Sequence, residues 1–212
     1  MEKMEYDGSE DIIDRMRKNP VSWVNFTIIV INILVFVWVE ATGSSEDLAH
    51  MVECGAAFPP LIVEGEYYRL FTCMFLHFGF DHLFNNMLLL FFIGDYLERA
   101  AGPLRYGVIY LVGGLGGSLL SFSYNLEIGR EVVSAGASGA VFAVIGAMVY
   151  VVIVHKGRLE DISLQRLLLM AALSVYFGFA SGGVDNVAHI GGLAAGFLIG
   201  MIVYRKRRHS MK

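Results

Sequence analysis

The sequence has little cysteine and lacks several patterns that would place it in other classes of protein. Its two cysteines, Cys54 and Cys73, would pair if their loop faced an oxidising space, but two free thiols at a membrane edge explain them equally well. The sequence has no internal repeat, no low-complexity tract and no nucleic-acid motif. It also lacks the short alternating segments of a membrane β-barrel. These absences favour a single helical domain and exclude a nucleic-acid partner.

Apolar residues are abundant instead. They make up 56% of the 212 residues, and the mean hydropathy is +0.58, far above that of an ordinary soluble domain. A membrane crossing needs about 20 apolar helical residues. Six runs approach that length: residues 21–39, 82–97, 104–122, 138–154, 164–180 and 187–204. The sequence therefore predicts an all-α, polytopic membrane protein with six transmembrane helices, the first of them retained and not cleaved as a signal.

The positive charges predict an orientation, because Lys and Arg near helix ends stay on the cytoplasmic side. With six alternating helices, one side receives all of the 16 Lys and Arg residues except Arg69 and Arg130. We therefore expect residues 1–20 and the basic tail 205–212 to be cytoplasmic, flanking a membrane domain at 21–204. The expected location is the cell membrane. The tail is interpreted as an anchor, with binding to anionic lipid as the alternative.

A long loop, residues 40–81, separates the first two helices on the extracytoplasmic side. Loops of this length are usually functional or structured. Its apolar stretches 58–63 and 70–76 are too short to span a membrane. They predict either an interfacial or re-entrant element or a small subdomain packed on itself.

Three polar residues fall at helix starts on the same side of the membrane. His82, Ser138 and His189 each lie near the outer end of a predicted helix, so the topology brings them to one membrane level. A single serine in a membrane helix usually hydrogen-bonds to a backbone carbonyl. An ionisable residue at this depth is nevertheless a functional candidate. We interpret Ser138 as a nucleophile and His189 as its base, with the active site toward the extracytoplasmic side.

Stripes of small residues indicate how these side chains would meet. Small residues recur every four positions in two helices: Gly139, Ala143 and Ala147 in one, and Gly192, Gly196 and Gly200 in the other. Such stripes let helix backbones touch in lipid. Pressed together, they would bring the Ser138 hydroxyl and the His189 imidazole within hydrogen-bond reach. The alternative is that the glycines only pack helices.

A serine nucleophile needs donors for the oxyanion that forms on attack. His82 and Asn86 lie four residues apart on one helical face, and the Ser138 backbone N–H lies at a helix N-terminus. These three donors are the candidates. The alternative for His82 and Asn86 is an interhelical hydrogen bond that only holds the bundle together.

No carboxylate is obviously placed as a third member of a triad. Asp185 precedes His189 but lies in a loop, and Asp95 and Glu98 fall toward the cytoplasmic end. The prediction is therefore a Ser–His dyad. Phe142, one turn after Ser138, is placed to pack against the His189 ring, although most such aromatic residues belong only to the core.

Residues 55–200 resemble the rhomboid intramembrane serine proteases. The resemblance rests on an ordered set of motifs: Gly65-Glu66-Tyr67-Tyr68-Arg69-Leu70-Phe71-Thr72, Phe75-Leu76-His77-Phe78, His82 with Asn86, Gly136-Ala137-Ser138-Gly139, and Ala188-His189 with Gly192 and Gly196. It implies a six-helix bundle in which Ser138 attacks a peptide bond of a membrane-anchored substrate and His189 acts as base and then acid. It also implies an oxyanion site of His82, Asn86 and the Ser138 amide. Gly136, Gly139, Gly192, Gly196 and Phe142 are the supporting residues.

The resemblance further implies that the first loop lies sideways in the outer leaflet. The fifth helix, 164–180, would act as a lateral gate, and residues 181–187 would form a cap. Two positions depart from the family pattern: Tyr68 stands where Trp is usual and Phe142 where Tyr is frequent. Neither change removes a catalytic atom.

Three functions compete. The first is an intramembrane serine endopeptidase that uses no metal and no cofactor and acts on membrane-anchored proteins within the lipid bilayer. The second is a non-catalytic factor of the same fold that escorts membrane helices. The third is a small transporter, which internal repeats and discontinuous helices would favour, but the sequence shows neither.

Overall fold

Helical segments occupy all six apolar runs. The computed structural model describes residues 21–159, 162–181 and 183–204, so the terminal segments 1–20 and 205–212 lie outside the described residues. The helices and strands, in chain order, are α1 (Trp23–Thr42), α2 (Leu48–Glu53), α3 (Pro59–Val63), α4 (Arg69–Thr72), a 3₁₀ turn (Cys73–Phe75), α5 (Gly79–Leu89), a π-helical segment (Leu90–Gly94), α6 (Asp95–Ala101), α7 (Pro103–Glu127), α8 (Ser138–Val154), β1 (Arg158–Leu159), β2 (Ile162–Ser163), α9 (Leu164–Ser181) and α10 (Asn186–Val203).

Several of these helices have the dimensions of membrane spans. Within the described ranges, α1, α7 and α10 are long and apolar enough to cross a bilayer. The pair Arg69–Phe75 and Gly79–Ala101, bent by 88°, would add a fourth if it formed one span. Helix α8 and residues Leu164–Tyr176 of α9 are apolar but shorter. The chain is thus a helical membrane protein with three or four spans by length and composition.

One short hairpin accompanies the helices. Strands β1 and β2 pair antiparallel between α8 and α9, with Arg158 opposite Ser163 and Leu159 opposite Ile162. Lys156 and Gly157 adopt positive φ angles of 64° and 85°. This left-handed backbone ends the preceding helix. The chain then turns back on itself, which lets the following residues pair.

Helix α8 lies at the centre of the bundle. Every residue of its stretch 139–149 is buried, as expected for a helix that is apolar on all sides. It packs against α10 and α7, the two helices with which it makes its most extensive contacts. Since α8 begins at Ser138, that serine stands at the N-terminal end of the most enclosed helix.

The two predicted small-residue stripes meet each other. The positions that Cβ atoms would take on Gly192, Gly196 and Gly200 overlap or crowd the backbones of Gly139, Ala143 and Ala147, respectively. Backbone-to-backbone contact of this kind is possible only without side chains at the crossing point. Helices α8 and α10 therefore have a fixed register, and this contact surface is called the glycine seam below.

A buried carboxylate joins the start of α1 to α6. Glu98, only 2% exposed, accepts hydrogen bonds from the backbone N–H groups of Val24 (3.1 Å) and Asn25 (2.6 Å). Ser22 at the N-cap makes no side-chain cap, so Glu98 supplies it from the neighbouring helix. Asn25 in turn donates to Leu90 O at 2.9 Å, at the start of the π-helical segment.

The first loop contains short helices with a small core of its own. Val39, Met51, Ala56 and Leu76 form that core, which agrees with the subdomain alternative. At the same time α4 and the 3₁₀ turn enter the bent pair described above, which agrees with the re-entrant alternative. The loop combines both features. Its two cysteines are free thiols, and burial raises the pKa of the Cys54 thiol.

Arg69 ties this loop together. Its guanidinium donates to Val52 O (2.6 Å) and Ala56 O (3.1 Å) and pairs with Glu66 at 2.6 Å. The Tyr68 hydroxyl donates to the same Glu66 carboxylate at 2.8 Å. These hydrogen bonds, the one from Tyr68 first, hold the pKa of Glu66 below its usual value. Tyr68 therefore takes part in the anchoring at the position where it departs from the family pattern.

Candidate active site

Ser138 is presented by a constrained turn. Gly136 has φ +148°, a conformation that residues with a side chain rarely adopt. Its N–H donates to Cys73 O at 2.9 Å, and the next N–H, of Ala137, donates to His77 Nε2 at 3.3 Å. Ser134 pairs with Ala57 in an isolated antiparallel bridge. The segment before Ser138 is thus hydrogen-bonded to the first loop at three successive points.

His189 lies in the first turn of α10 and is 6% exposed. Its ring stacks on Phe142, with centroids 4.3 Å apart and planes 10° from parallel, so the structure places Phe142 where the sequence predicted. Among the described residues, the ring Nδ1 is buried without a hydrogen-bond partner. Among the described residues, no carboxylate is hydrogen-bonded to this nitrogen.

The glycine seam brings α8 and α10 together beside Ser138 and His189. The Cβ position of Gly139 lies 3.6 Å from Ala188 O and 3.8 Å from Ala188 Cβ. Gly139 follows Ser138, and Ala188 precedes His189. The expected hydrogen bond between the two side chains is nevertheless not formed: within the described part of the chain, no contact of hydrogen-bond length joins Ser138 Oγ to the His189 ring. The hydroxyl faces Gly136 while the ring lies on Phe142.

His82 faces the same space as the Ser138 hydroxyl. The Cβ position of Gly136 lies 2.9 Å from His82 Nε2 and 3.5 Å from Ser138 Oγ. A side chain on Gly136 would therefore fill the gap between imidazole and hydroxyl. Asn86 is 4% exposed, and its Nδ2 donates to His82 O at 3.0 Å. One N–H of that amide is used within the helix, which leaves the other for a second acceptor.

A cavity of about 40 Å³ opens beside Ser138, large enough for water. Polar groups from several elements line it, including Ser118, Ser121, Asn125, Ser134 and Asp185. Hydrolysis needs water, which the bilayer core excludes, so a hydrolase active within a membrane needs a polar space of this kind. Within the described residues, no cluster of three His, Cys, Asp or Glu side chains is arranged to hold a metal ion.

Two residues of the site were missed in the sequence. His77 is 1% exposed, supports the turn before Ser138 through Ala137, and packs edge-on against His82 with ring centroids 5.2 Å apart. Asp185 was set aside as a loop residue, yet its carboxylate lines the cavity and bonds to three separate elements. The only available signal was its position as an Asp just before a helix, which is typical of an N-cap.

Fold and site together define a polytopic helical membrane protein with serine and histidine at one hydrated end of its bundle. Comparison with known proteins then gives its family. The Rhomboid domain matches residues 64–206. The chain belongs to the rhomboid family.

Named relatives come from distant organisms. The chain is 37% identical to Rhomboid protease GluP of Bacillus subtilis over 172 residues, 81% of this chain and 33% of the relative. It is 42% identical to RHOMBOID-like protein 5 of Arabidopsis thaliana, covering 70% and 48%. It is 34% identical to Rhomboid-like protease 1 of Toxoplasma gondii, covering 72% and 52%. The chain thus spans from about a third to about half the length of these relatives.

Proposed function

We propose that this protein is an intramembrane serine endopeptidase that uses a dyad of Ser138 and His189. The observation that carries the proposal is the glycine seam. It places Gly192 against the backbone of Gly139, and a Cβ on Gly139 would lie 3.6 Å from Ala188 O; Gly139 and Ala188 adjoin the serine and the histidine. Packing alone calls for neither a hydroxyl nor an imidazole at this place. Two relatives are themselves named as proteases, which agrees with this chemistry.

The reaction follows from the two side chains. Ser138 Oγ attacks the carbonyl carbon of a peptide bond while a ring nitrogen of His189 accepts its proton. The tetrahedral intermediate collapses, the C–N bond breaks, and His189 gives the proton to the leaving amine. A water molecule then attacks the acyl-enzyme with His189 again as base, which releases the acid product and restores the serine.

The hydrogen bond that is absent in this structure must form during this cycle. Catalytic hydrogen bonds are often long in the absence of substrate and tighten when substrate binds. Here the Ser138 hydroxyl and the His189 ring occupy neighbouring helix starts, so a small side-chain movement upon substrate binding closes the contact.

Three donors surround the position of the developing oxyanion. They are the His82 Nε2 edge beside Gly136, the free N–H of the Asn86 amide, and the backbone N–H of Ser138. One such donor contributes about 3–4 kcal/mol to the transition state. The cavity beside Ser138 supplies the water of the second step.

The substrates we propose are single-pass or otherwise membrane-anchored proteins. A transmembrane helix must unwind locally before its carbonyl can reach Ser138, so helix-weakening residues such as Gly or Pro near the cut favour cleavage. In this scheme α9 is the lateral gate, and residues 181–187 form the cap over the site. Residue 182 and the side chains at 177–181 lie outside the described part.

We also propose six crossings with both termini in the cytoplasm, which raises the count above the three or four spans given by length. The shorter helices α8 and α9 would then cross within the bundle, where other helices surround α8. The site would face the extracytoplasmic side, and the cell membrane is the proposed location. One relative, RHOMBOID-like protein 6 of Arabidopsis thaliana, is named mitochondrial, so family membership alone does not define the compartment.

The test is cleavage of a single-pass model substrate by purified protein in liposomes. Ser138→Ala and His189→Ala should each abolish cleavage and labelling by a fluorophosphonate probe, while far-UV circular dichroism remains that of the folded wild type. Asn85→Ala is a matched control, because Asn85 adjoins Asn86 in the chain but is exposed where Asn86 is buried, and it should cleave normally.

Undiminished cleavage by Ser138→Ala would end the enzyme proposal. Substrate binding without cleavage in the wild type would support the escort factor instead.

A further inference from the structure

Asp185 makes hydrogen bonds to three different parts of the molecule. Its Oδ1 accepts from the N–H of Ala188 at 2.9 Å and caps α10. Its Oδ2 accepts from the hydroxyl of Ser121 at 2.5 Å and from that of Ser134 at 2.9 Å. An ionised carboxylate has room for all of these donors, and such charge-assisted bonds are stronger than neutral ones.

The partners of this carboxylate surround the proposed dyad. Ser134 lies four residues before the nucleophile, on the strand-like segment that leads into the Gly136 turn. Ala188 is adjacent to His189 in the chain. Ser121 belongs to α7 and is itself held by Asn125, whose Nδ2 donates to the Ser121 hydroxyl at 3.2 Å. The carboxylate therefore connects the nucleophile segment, the base helix and α7.

The hydrogen bonds of Asp185 hold the segment before Ser138, which the glycine seam does not reach. The seam fixes α8 against α10 from Gly139 inward, but the segment before Ser138 has no helix of its own to hold it. Its other supports come from the first loop, through Cys73, His77 and Ala57. Among the side-chain hydrogen bonds of the described residues, those to Asp185 are the ones that link this segment to the start of the helix carrying His189.

We propose that Asp185 is a positioning residue that sets the distance between Ser138 and His189 by clamping the segment before the serine to the start of α10. The inference rests on the proposed dyad. Asp185 touches neither reacting group in this structure, so its effect is geometric. A misplacement of about 1 Å at an active site lowers rates on the order of 100-fold, and loss of the clamp permits movement on that scale.

The test is the rate of labelling by a fluorophosphonate probe, measured with cleavage kinetics of a single-pass substrate in liposomes. Asp185→Ala removes all three bonds and should lower the labelling rate on the order of 10- to 100-fold, with kcat reduced and KM unchanged. Asp185→Asn keeps an N-cap of similar strength and can donate to the serine hydroxyls, so it should restore part of the rate. Ser134→Ala removes only one of the three hydrogen bonds and should give a smaller decrease in the labelling rate.

A matched control separates positioning from stability. Asp47 also caps a helix, with Oδ1 accepting from Ala49 N at 3.0 Å, but it is exposed and lies in the first loop. Asp47→Ala should label and cleave like the wild type. A thermal midpoint measured for each variant identifies any loss that comes from unfolding alone.

The outcomes distinguish the proposed dyad from the positioning role of Asp185. Absence of labelling in the wild type would refute the dyad and this inference together. A labelled wild type with an equally reactive Asp185→Ala would overturn the inference and leave the dyad standing. If Asp185→Ala fails to fold, Ser121→Ala and Ser134→Ala take its place: slower labelling at an unchanged midpoint supports the clamp, and wild-type rates in both overturn it.

Discussion

The glycine seam makes a sharp prediction at Gly196. A Cβ placed there would overlap Ala143 O and Cα and lie 2.5 Å from Ala143 C, whereas ordinary contacts begin at 3.4 Å. All of these atoms belong to backbone in the interior of α8, so no side chain can rotate away. The Gly196→Ala substitution must therefore push α8 and α10 apart.

The size of the effect follows from this geometry. Overpacking of a tightly packed core costs about 1–3 kcal/mol, which lowers the thermal midpoint by about 2–4 °C per kcal/mol in a chain of this length. Relief of the overlap needs a separation of about 1 Å between the helices that carry Ser138 and His189, and a displacement of that size reduces the rate on the order of 100-fold. The loss of cleavage rate should therefore be much larger than the decrease in thermal midpoint alone explains.

The assay compares thermal unfolding and substrate cleavage in the same detergent. Gly107→Ala is the control, because its Cβ would meet only Val24 Cγ1, at an ordinary 3.7 Å, and alanine is favoured over glycine in a helix by about 1 kcal/mol. It should be at least as stable as the wild type and equally active. If Gly196→Ala matched Gly107→Ala in both measurements, the close contact of α8 and α10 would be refuted.

Substitutions at three further positions test separate contacts. Phe142→Ala removes the ring that stacks on His189 and should slow cleavage about 2- to 10-fold, while Phe142→Tyr should not; equal rates in both would deny the stacking a role. The hydrogen bonds that lower the pKa of Glu66 stabilise the fold, and this stabilisation is complete above about pH 4.5, the ordinary pKa of the group. It is lost as the pH falls through the lowered pKa. As the pH is lowered into the acid range, the thermal midpoint should therefore fall less for Glu66→Gln, which also weakens the ion pair with Arg69, than for the wild type. Equal decreases in the two proteins would contradict this. Glu98→Ala leaves the amides of Val24 and Asn25, the second of them buried, without an acceptor and should cost about 1–3 kcal/mol, with Glu98→Gln milder. An unchanged midpoint for Glu98→Ala would show that water replaces the cap.

The parts of the fold that depend on local pattern could be predicted from the sequence. The six apolar runs were located by length, and the small residues at every fourth position predicted which faces of α8 and α10 meet. Ser138 was expected at the start of its helix, and α8 begins there. Each of these features depends on residues within one or a few helical turns, so the spacing of residues along that stretch is enough to predict it.

The features that were missed depend on residues far apart in the chain. Asp185 bonds to Ser121 and Ser134, 64 and 51 positions away, and Glu98 caps a helix that starts more than 70 positions earlier. A polar residue near a helix end has many possible partners, and only the packed bundle selects among them. The same holds for the direct Ser138–His189 hydrogen bond: the seam was predictable, but the side-chain rotations beside it were not.

The starts of α8 and α10 differ in a way that suits the proposed chemistry. A helix N-terminus has unsatisfied N–H groups and a positive dipole end, both of which attract negative charge. At α10 the Asp185 carboxylate already occupies this position as a cap. At α8 the N-cap is Ala137, which provides no side-chain hydrogen bond to the first turn, so the amide of Ser138 stays open to an incoming anion. One helix start is thus neutralised beside the base, while the other is left free beside the nucleophile, where an oxyanion would form.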